Sequence, residues 1–411
     1  MNPGTGQTPA VGQTPAVGQN PATGQTPGPR RNATAGRPLG SGQPPERFLT
    51  RLRRLVGIET PTGHSPGLHA TYDLLAEWSE DLLGTLHYEV CDGVPHLYRE
   101  EREPSGVPPV LLLGHADTVW PLGTLAGWPF AVDGDRITGP GVFDMKSGLV
   151  LGLEALEALG VAGHGTGHVR LLVTGDEERG SLTSRALIEE VARDCAAVLV
   201  LEPSLDGAVK TARKGGAMFE VTVKGRAAHA GLEPERGVNA LVELSHQVLA
   251  IDALGDPDRG TTVTPTVSRS GSTRNTIPEN ATVEIDVRAW HRDELVRVEK
   301  DLRTLRSRTR GSRLELAGGI NRFPLEHRMS ADLLDLARTL ARAEGLAPVT
   351  EARVGGASDG NFTAALGIPT LDGLGPGGGA AHGRGEWVDA ASVPERIALV
   401  AALIRAHGGP A

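Results

Sequence analysis

Apolar residues fall along this chain in two rhythms. Three short apolar runs, at 110–113, 169–173 and 197–201, are β-branched or leucine-rich, interrupted only by Arg170, and each ends in glycine or turn residues. That texture predicts strands buried on both faces of a parallel sheet. Elsewhere the spacing is helical. Phe48, Leu52 and Leu55 recur within 46–56, a second helix is expected over 68–83, and Leu149, Leu153 and Leu156 mark one face of 146–159. Leu333, Leu336 and Leu340 repeat the spacing in 330–344, as do Ile397, Val400 and Ile404 in 394–406.

From Ala217 the pattern changes to alternation, with Phe219, Val221 and Val223 on one face of a half-exposed strand. A helix at 238–251, strands at 261–268 and 281–288, a helix at 292–308 and a strand at 313–316 complete the order β-α-β-β-α-β, the ferredoxin-like motif. The expected fold is therefore α/β: a mostly parallel central sheet flanked by helices, with an inserted ferredoxin-like α+β domain. With 411 residues, more than one core is the expectation. The first domain is divided into 45–213 and 320–411, with 214–319 inserted.

Residues 1–44 carry a repeated Gly-Gln-Thr-Pro-Ala-Val-like unit and almost no large apolar side chain. Such a stretch has little to offset the entropy of ordering and is expected to be disordered. It also lacks the apolar core, about 7–15 residues, of a secretory leader, so a cytoplasmic location is expected. A net charge of −9 argues against a nucleic-acid partner, and no apolar run approaches a membrane span. Cys91 and Cys195 have no metal or redox spacing and read as small buried hydrophobes.

The polar residues that follow the apolar runs carry the chemistry. They are His115-Ala116-Asp117, Asp144-Met145-Lys146, Asp176-Glu177-Glu178 and Glu202-Pro203, joined by His382 in a glycine-rich segment far downstream. In an open α/β sheet, ligands bind at the C-terminal strand ends. Two histidines with three or four carboxylates form a mixed N/O set suited to two divalent ions, zinc foremost, with cobalt or manganese also compatible. Simpler readings exist: Asp144 could cap the following helix, and 176–178 could be a solvated acidic turn. On an extended backbone Glu177 and Glu178 would point opposite ways, so that one could ligate while the other faces water.

Taken together, Gly114-His115-Ala116-Asp117-Thr118-Val119, Gly141-Val142-Phe143-Asp144-Met145-Lys146, Asp176-Glu177-Glu178-Arg179-Gly180-Ser181, Leu201-Glu202-Pro203 and the His382 segment resemble the co-catalytic zinc peptidases related to aminoacylase. Within that family the chain looks most like the bacterial glutamate carboxypeptidases, from about residue 45 onward. Ser147 stands where a second glycine is common.

The resemblance implies two zinc ions per subunit with Asp144 between them. One would be completed by His115 and Glu202, the other by Glu178 and His382, while Asp117 holds the His115 ring. It implies a metal-bridging hydroxide with Glu177 as general base. It also implies a homodimer through the inserted domain, with His229 reaching across it to the substrate carbonyl, and Asn275 at a substrate-contact position.

Arg288 and Arg322 are candidates for the substrate carboxylate, because a guanidinium can bond both its oxygens. Lys210, with Arg213 and Lys214, could meet a second carboxylate. The glycine-rich stretches 355–360 and 375–379 suggest close backbone approaches.

The expected function is hydrolysis of an amide in a small peptide, releasing a C-terminal amino acid, with glutamate the best guess. An N-acyl-amino-acid deacylase would use the same machinery, and a non-catalytic binding protein on a peptidase fold is the third reading.

Overall fold

The computed structural model describes residues 42–99, 107–161 and 165–408, so the expectation for the tail falls almost wholly outside the described residues. A six-stranded sheet runs in the spatial order His87–Cys91, Val94–Tyr98, Val169–Thr174, Val110–His115, Ala197–Val200, Thr370–Leu371. The last four strands are parallel, and the first two form an antiparallel hairpin at one edge.

The nearly continuous apolar runs are explained by burial of both faces. Val110, Leu112, Leu171, Val173, Ala197 and Leu199 join one core with the helices Glu46–Val56, Ser65–Leu83, Ser147–Val161, Ala331–Ala343 and Val393–His407. The alternate residues Leu111, Leu113, Leu172, Val198 and Val200 join another, with Leu187, Ile188 and Phe362 from the helices Arg185–Ala192 and Gly360–Ala365. Successive side chains on a strand point to opposite faces, so each run serves two layers. Each buried valine, leucine, isoleucine or phenylalanine among them contributes about 1.5–3 kcal/mol by leaving water.

Register then fixes the site. His115 pairs with Thr174 and Leu113 with Val200, so His115, the turn after Thr174 and the turn after Val200 share one edge.

A second sheet has the order Thr262–Ser270, Asn280–Ala289, Gly215–Lys224, Arg313–Arg322, antiparallel throughout. The helices Ala240–Asp252 and Arg292–Arg303 close a separate core over Phe219, Val221, Val283, Ile285, Leu244 and Leu295. The second of these helices ends at Arg303 rather than 308. The buried Glu243 carboxylate takes the N–H groups of Arg308 and Thr309 and holds 304–309 as a loop. The last strand runs on to Arg322, well past 316.

Three small sheets complete the described residues: Val209–Arg213 parallel to Glu351–Val354, Ala228–His229 antiparallel to Thr276–Ile277, and an antiparallel set of Gly378–Gly379, Trp387–Asp389, Arg136–Thr138 and Ala131–Asp133. Cys195 is buried as expected, but Cys91 is only partly covered because its strand lies at the sheet edge.

Candidate metal centre

His115 is the last residue of its strand and is almost fully buried. Its Nε2 lies 3.2 Å from Asp144 Oδ1 and 3.5 Å from Glu202 Oε1. On the other side of the ring, Nδ1 is 3.0 Å from the Asp117 carbonyl and 3.3 Å from its Oδ1. Asp117 also accepts the N–H groups of Glu177 at 3.1 Å and Glu178 at 3.2 Å, and the Thr62 hydroxyl at 2.7 Å. One carboxylate thus sets both the imidazole and the acidic turn. That turn, Glu177–Arg179, is a tight 3-10 turn rather than extended backbone. The divergence of the two glutamates therefore comes from the turn and its Asp117 anchor, not from strand alternation.

Asp144 does not cap the next helix, which starts at Ser147. Its carboxylate is split between two neighbours, since Oδ2 lies 3.4 Å from His382 Nε2, which is itself 3.1 Å from Glu178 Oε2. The Asp144–Met145 peptide is cis. His382 adopts φ +61°, a left-handed conformation that costs a non-glycine residue about 1–2 kcal/mol. Such an outlier marks a position held for its side chain.

Glu202 is held by the backbone around it. A Cβ on Gly148 would meet the Leu201 carbonyl at 2.0 Å, and one on Gly375 would meet it at 2.7 Å and the Glu202 carbonyl at 2.8 Å. The close approach expected in 375–379 is therefore real. In 355–360 the close approach is at Gly360, where a Cβ would meet Val200 at 2.9 Å, while Gly355 and Gly356 face open space and Arg213 bonds the Gly356 carbonyl.

Glu202 divides its oxygens as Asp144 does. Oε1 faces His115, while Oε2 faces Arg213 at 3.2 Å and Lys210 at 3.9 Å. Arg213 also bonds Asp372 at 2.8 Å. Arg322 donates to Glu177 Oε1 at 2.8 Å and to Asp359 at 3.1 Å, and also to Ser181. Its donors thus orient the acidic turn.

Arg288 grips Asp286 through Nε and Nη2 at 2.8–3.1 Å. It lines a cleft of about 360 Å³ with Glu177, Glu178, Met218, Asn321, Arg322 and His382. His229 and Asn275 lie on the second sheet's side, at the ribbon Ala228–His229 with Thr276–Ile277. His229 Nδ1 accepts the N–H groups of Gly231 at 3.1 Å and Leu232 at 3.0 Å, so Nε2 carries the proton of the neutral ring. Asn275 is tied to the same ribbon by its carbonyl, 2.8 Å from Ala230 N.

The electrostatics of the ion-free chain fit a cation. Burial pushes the Glu177 carboxyl up to about 8, against the pull of Arg322. Burial disfavours a charged His115, yet Asp117, Asp144 and Glu202 outweigh it and hold its pKa well above the usual value. Asp144 is likewise held below the carboxylate range by His115 and His382 despite burial. His382 is pushed up to about 10 by Asp144 and Glu178. Glu178 Oε1 is buried with no hydrogen-bond partner.

Such an orphaned carboxylate oxygen beside two imidazoles is what a bound cation would satisfy. Ligand atoms of His115, Asp144 and Glu178 lie within 4.8 Å of one another, as do those of His115, Glu177 and Glu202. The donor set fits a divalent metal.

Sequence reasoning missed Thr62, Arg213 and Asp359 as supports, and also Glu386. Arg213 was read as a substrate contact, and Asp359 and Glu386 lie inside the 355–360 and His382 stretches, so only Thr62 carried no signal in its own chemistry.

An α/β sheet with this donor set at its C-terminal edge defines a metal-dependent hydrolase. A profile of peptidase family M20/M25/M40 matches residues 111–406, and the chain belongs to that family, as its motifs implied. It is 33% identical over 371 residues to carboxypeptidase G2 of Pseudomonas sp. (strain RS-16), covering 87% of this chain and 88% of that protein. It is also 33% identical over 202 residues to succinyl-diaminopimelate desuccinylase 2 of Shewanella loihica, covering 44% of this chain and 53% of the relative.

Two solved structures share the fold. A tripeptidase of Staphylococcus aureus has a TM-score of 0.72 at 22% identity, covering 90% of this chain and all (100%) of its own. An M20 family metallo-carboxypeptidase of Sulfolobus solfataricus has a TM-score of 0.70 at 17% identity, covering 88% and 99%. Among the described residues, no helix is long and apolar enough to cross a membrane.

Proposed function

We propose that this chain hydrolyses an amide bond to release a C-terminal amino acid, glutamate in the first instance, using two zinc ions. The observation that carries the reading is the division of Asp144, one oxygen toward His115 and the other toward His382, each histidine having its own glutamate. His115 and Glu202 would hold one ion and Glu178 and His382 the other, with Asp144 shared. When bound, such ions supply Lewis acidity and a water acidic enough to attack near neutral pH.

The side chains do the rest. Glu177, buried and steered by Arg322, takes a proton from the attacking water as the new C–O bond forms. It returns that proton to the amine nitrogen as the C–N bond breaks. Arg288 receives the substrate carboxylate at the cleft wall. Lys210 and Arg213 neutralise the far side of Glu202. His229, its Nε2–H outward, donates to the carbonyl oxygen from the partner subunit of a homodimer.

The test is a panel of substrates with metal-loaded protein and Glu177→Ala as control. It should contain an aroyl-glutamate, analogues with other C-terminal residues, an N-acetyl amino acid and a succinylated diamine. Glutamate release abolished in the variant supports the proposal. The similarity to a desuccinylase favours a second reading, N-acyl-amino-acid deacylation, and turnover confined to the acylated amino acid and amine would select it. Full turnover by a monomeric variant would remove His229 from the mechanism.

A further inference from the structure

We propose that Glu386 is the positioning residue for the shared ligand Asp144 and for the turn that presents His382. The inference rests on the reading that both are metal ligands. Glu386 is fully buried and touches neither the cleft nor any ligand carboxylate in the hydrogen bonds described. Four donors converge on it. Oε1 accepts the N–H groups of Phe143 and Asp144, each at 2.8 Å. Oε2 accepts that of Gly141 at 3.1 Å and the Trp120 indole at 2.9 Å.

Three of these are backbone groups within four consecutive residues, a concave cradle for an anion. The anion here is supplied by the chain itself.

The consequence is geometric. The segment carrying Asp144 has irregular backbone, with Gly141 at φ +69° and non-helical dihedrals at Asp144 and Met145, so no regular ladder holds it. The Glu386 carboxylate replaces that ladder. Two residues beyond Asp144, the buried Lys146 Nζ bonds the Leu55 carbonyl at 3.0 Å and the Ile58 carbonyl at 2.6 Å, so the segment is gripped at both ends. Glu386 also closes the short turn after His382, its N–H bonding the Gly383 carbonyl at 3.0 Å. One buried residue, through its carboxylate on one side and its own backbone on the other, therefore ties the segment near residue 144 to the turn near residue 382.

The arrangement demands acceptors only. A glutamine would aim two N–H hydrogens at a place already filled by N–H donors.

Metal-free full-length protein is titrated with zinc against a chromophoric chelator, comparing wild type, Glu386→Gln, Asp144→Asn and Leu244→Ala. Leu244 lies in the core of the second sheet and serves as a matched loss of stability. Glu386→Gln is expected to weaken zinc 10–100-fold, the range for residues that orient metal ligands, while Leu244→Ala leaves affinity unchanged. Affinity within twofold of wild type in Glu386→Gln, with Asp144→Asn impaired, overturns the role of Glu386 alone. Unaltered affinity in Asp144→Asn overturns the metal reading beneath it.

If Glu386→Gln does not fold, deuterium exchange on metal-free wild type decides. Slow exchange of the Gly141, Phe143 and Asp144 amides supports the cradle, and fast exchange there overturns it.

Discussion

The two halves of the proposed centre use the same chemistry in different surroundings. Each has one histidine, one glutamate and one oxygen of Asp144. The His115 side chain is 2% exposed and its partner Glu202 is backed by Arg213 and Lys210. The His382 side chain is 52% exposed, and its partner Glu178 keeps an orphaned oxygen. The lesson is that ligand identity does not set access. The inner half is built into the sheet edge with its charges balanced by protein cations, while the outer half presents its histidine to the cleft. An ion in the outer half should leave first under a chelator.

Asp144→Asn should have the largest effect, because it removes what the halves share. Zinc affinity should fall by more than about 100-fold, beyond the range for residues that only orient ligands. One ion retained at full affinity would mean that the halves are independent.

Glu177→Gln should lower kcat by about 10²–10⁴-fold with zinc content unchanged. A parallel loss of metal would instead make Glu177 a ligand of the inner half, as its proximity to His115 and Glu202 permits.

Arg213→Met strips the inner half of its main counter-charge and leaves Glu202 and Asp372 buried beside each other's charge. A loss of about 3–5 kcal/mol in denaturant unfolding of the ion-free protein is expected. A change below 1 kcal/mol, on the order of a surface pair, would show that the inner half needs no such balance.

His382→Ala should empty only the outer half, taking the zinc stoichiometry measured by atomic absorption from two to one. Loss of both ions would show that the halves bind cooperatively.

The smallest effect is in pH. The His382 pKa is raised from the ordinary 6.5 to about 10 in the ion-free fold. A group raised on folding stabilises fully below its unfolded value, and that contribution fades as pH climbs through the folded one. Ion-free stability should therefore decline between pH about 6.5 and 10, and His382→Ala should flatten the decline. Zinc binding to this half should strengthen over the same window, since the imidazolium must lose its proton to ligate.

Legibility in the sequence followed the range of the interactions. The runs at 110–113, 169–173 and 197–201 became strands because nearly continuous apolar character, broken only at Arg170, has few meanings when both faces are covered. The five proposed ligand positions stood out because each lies soon after an apolar run or beside a glycine-rich turn. What escaped notice depends on distant pairing. The strand Trp387–Asp389 meets Arg136–Thr138 across some 250 residues, and neither has a local period. Arg322 reads alike as a substrate clamp or a support, and only its contacts with Glu177, Ser181 and Asp359 distinguish the two. Thr62 carries no charge or pattern at all, yet it bonds Asp117.

The order of the ligands along the chain has a consequence in time. His115, Asp144, Glu178 and Glu202 leave the ribosome within one stretch of less than 100 residues, whereas His382 follows 180 residues after Glu202. At synthesis rates of about 5–20 residues per second, that gap lasts roughly 9–36 s. Throughout that interval the growing chain displays an inner half with all its donors and an outer half with none of its imidazole. With the proposed ligand set, the donors of the inner half would be present first, and the outer half would wait for His382 to emerge.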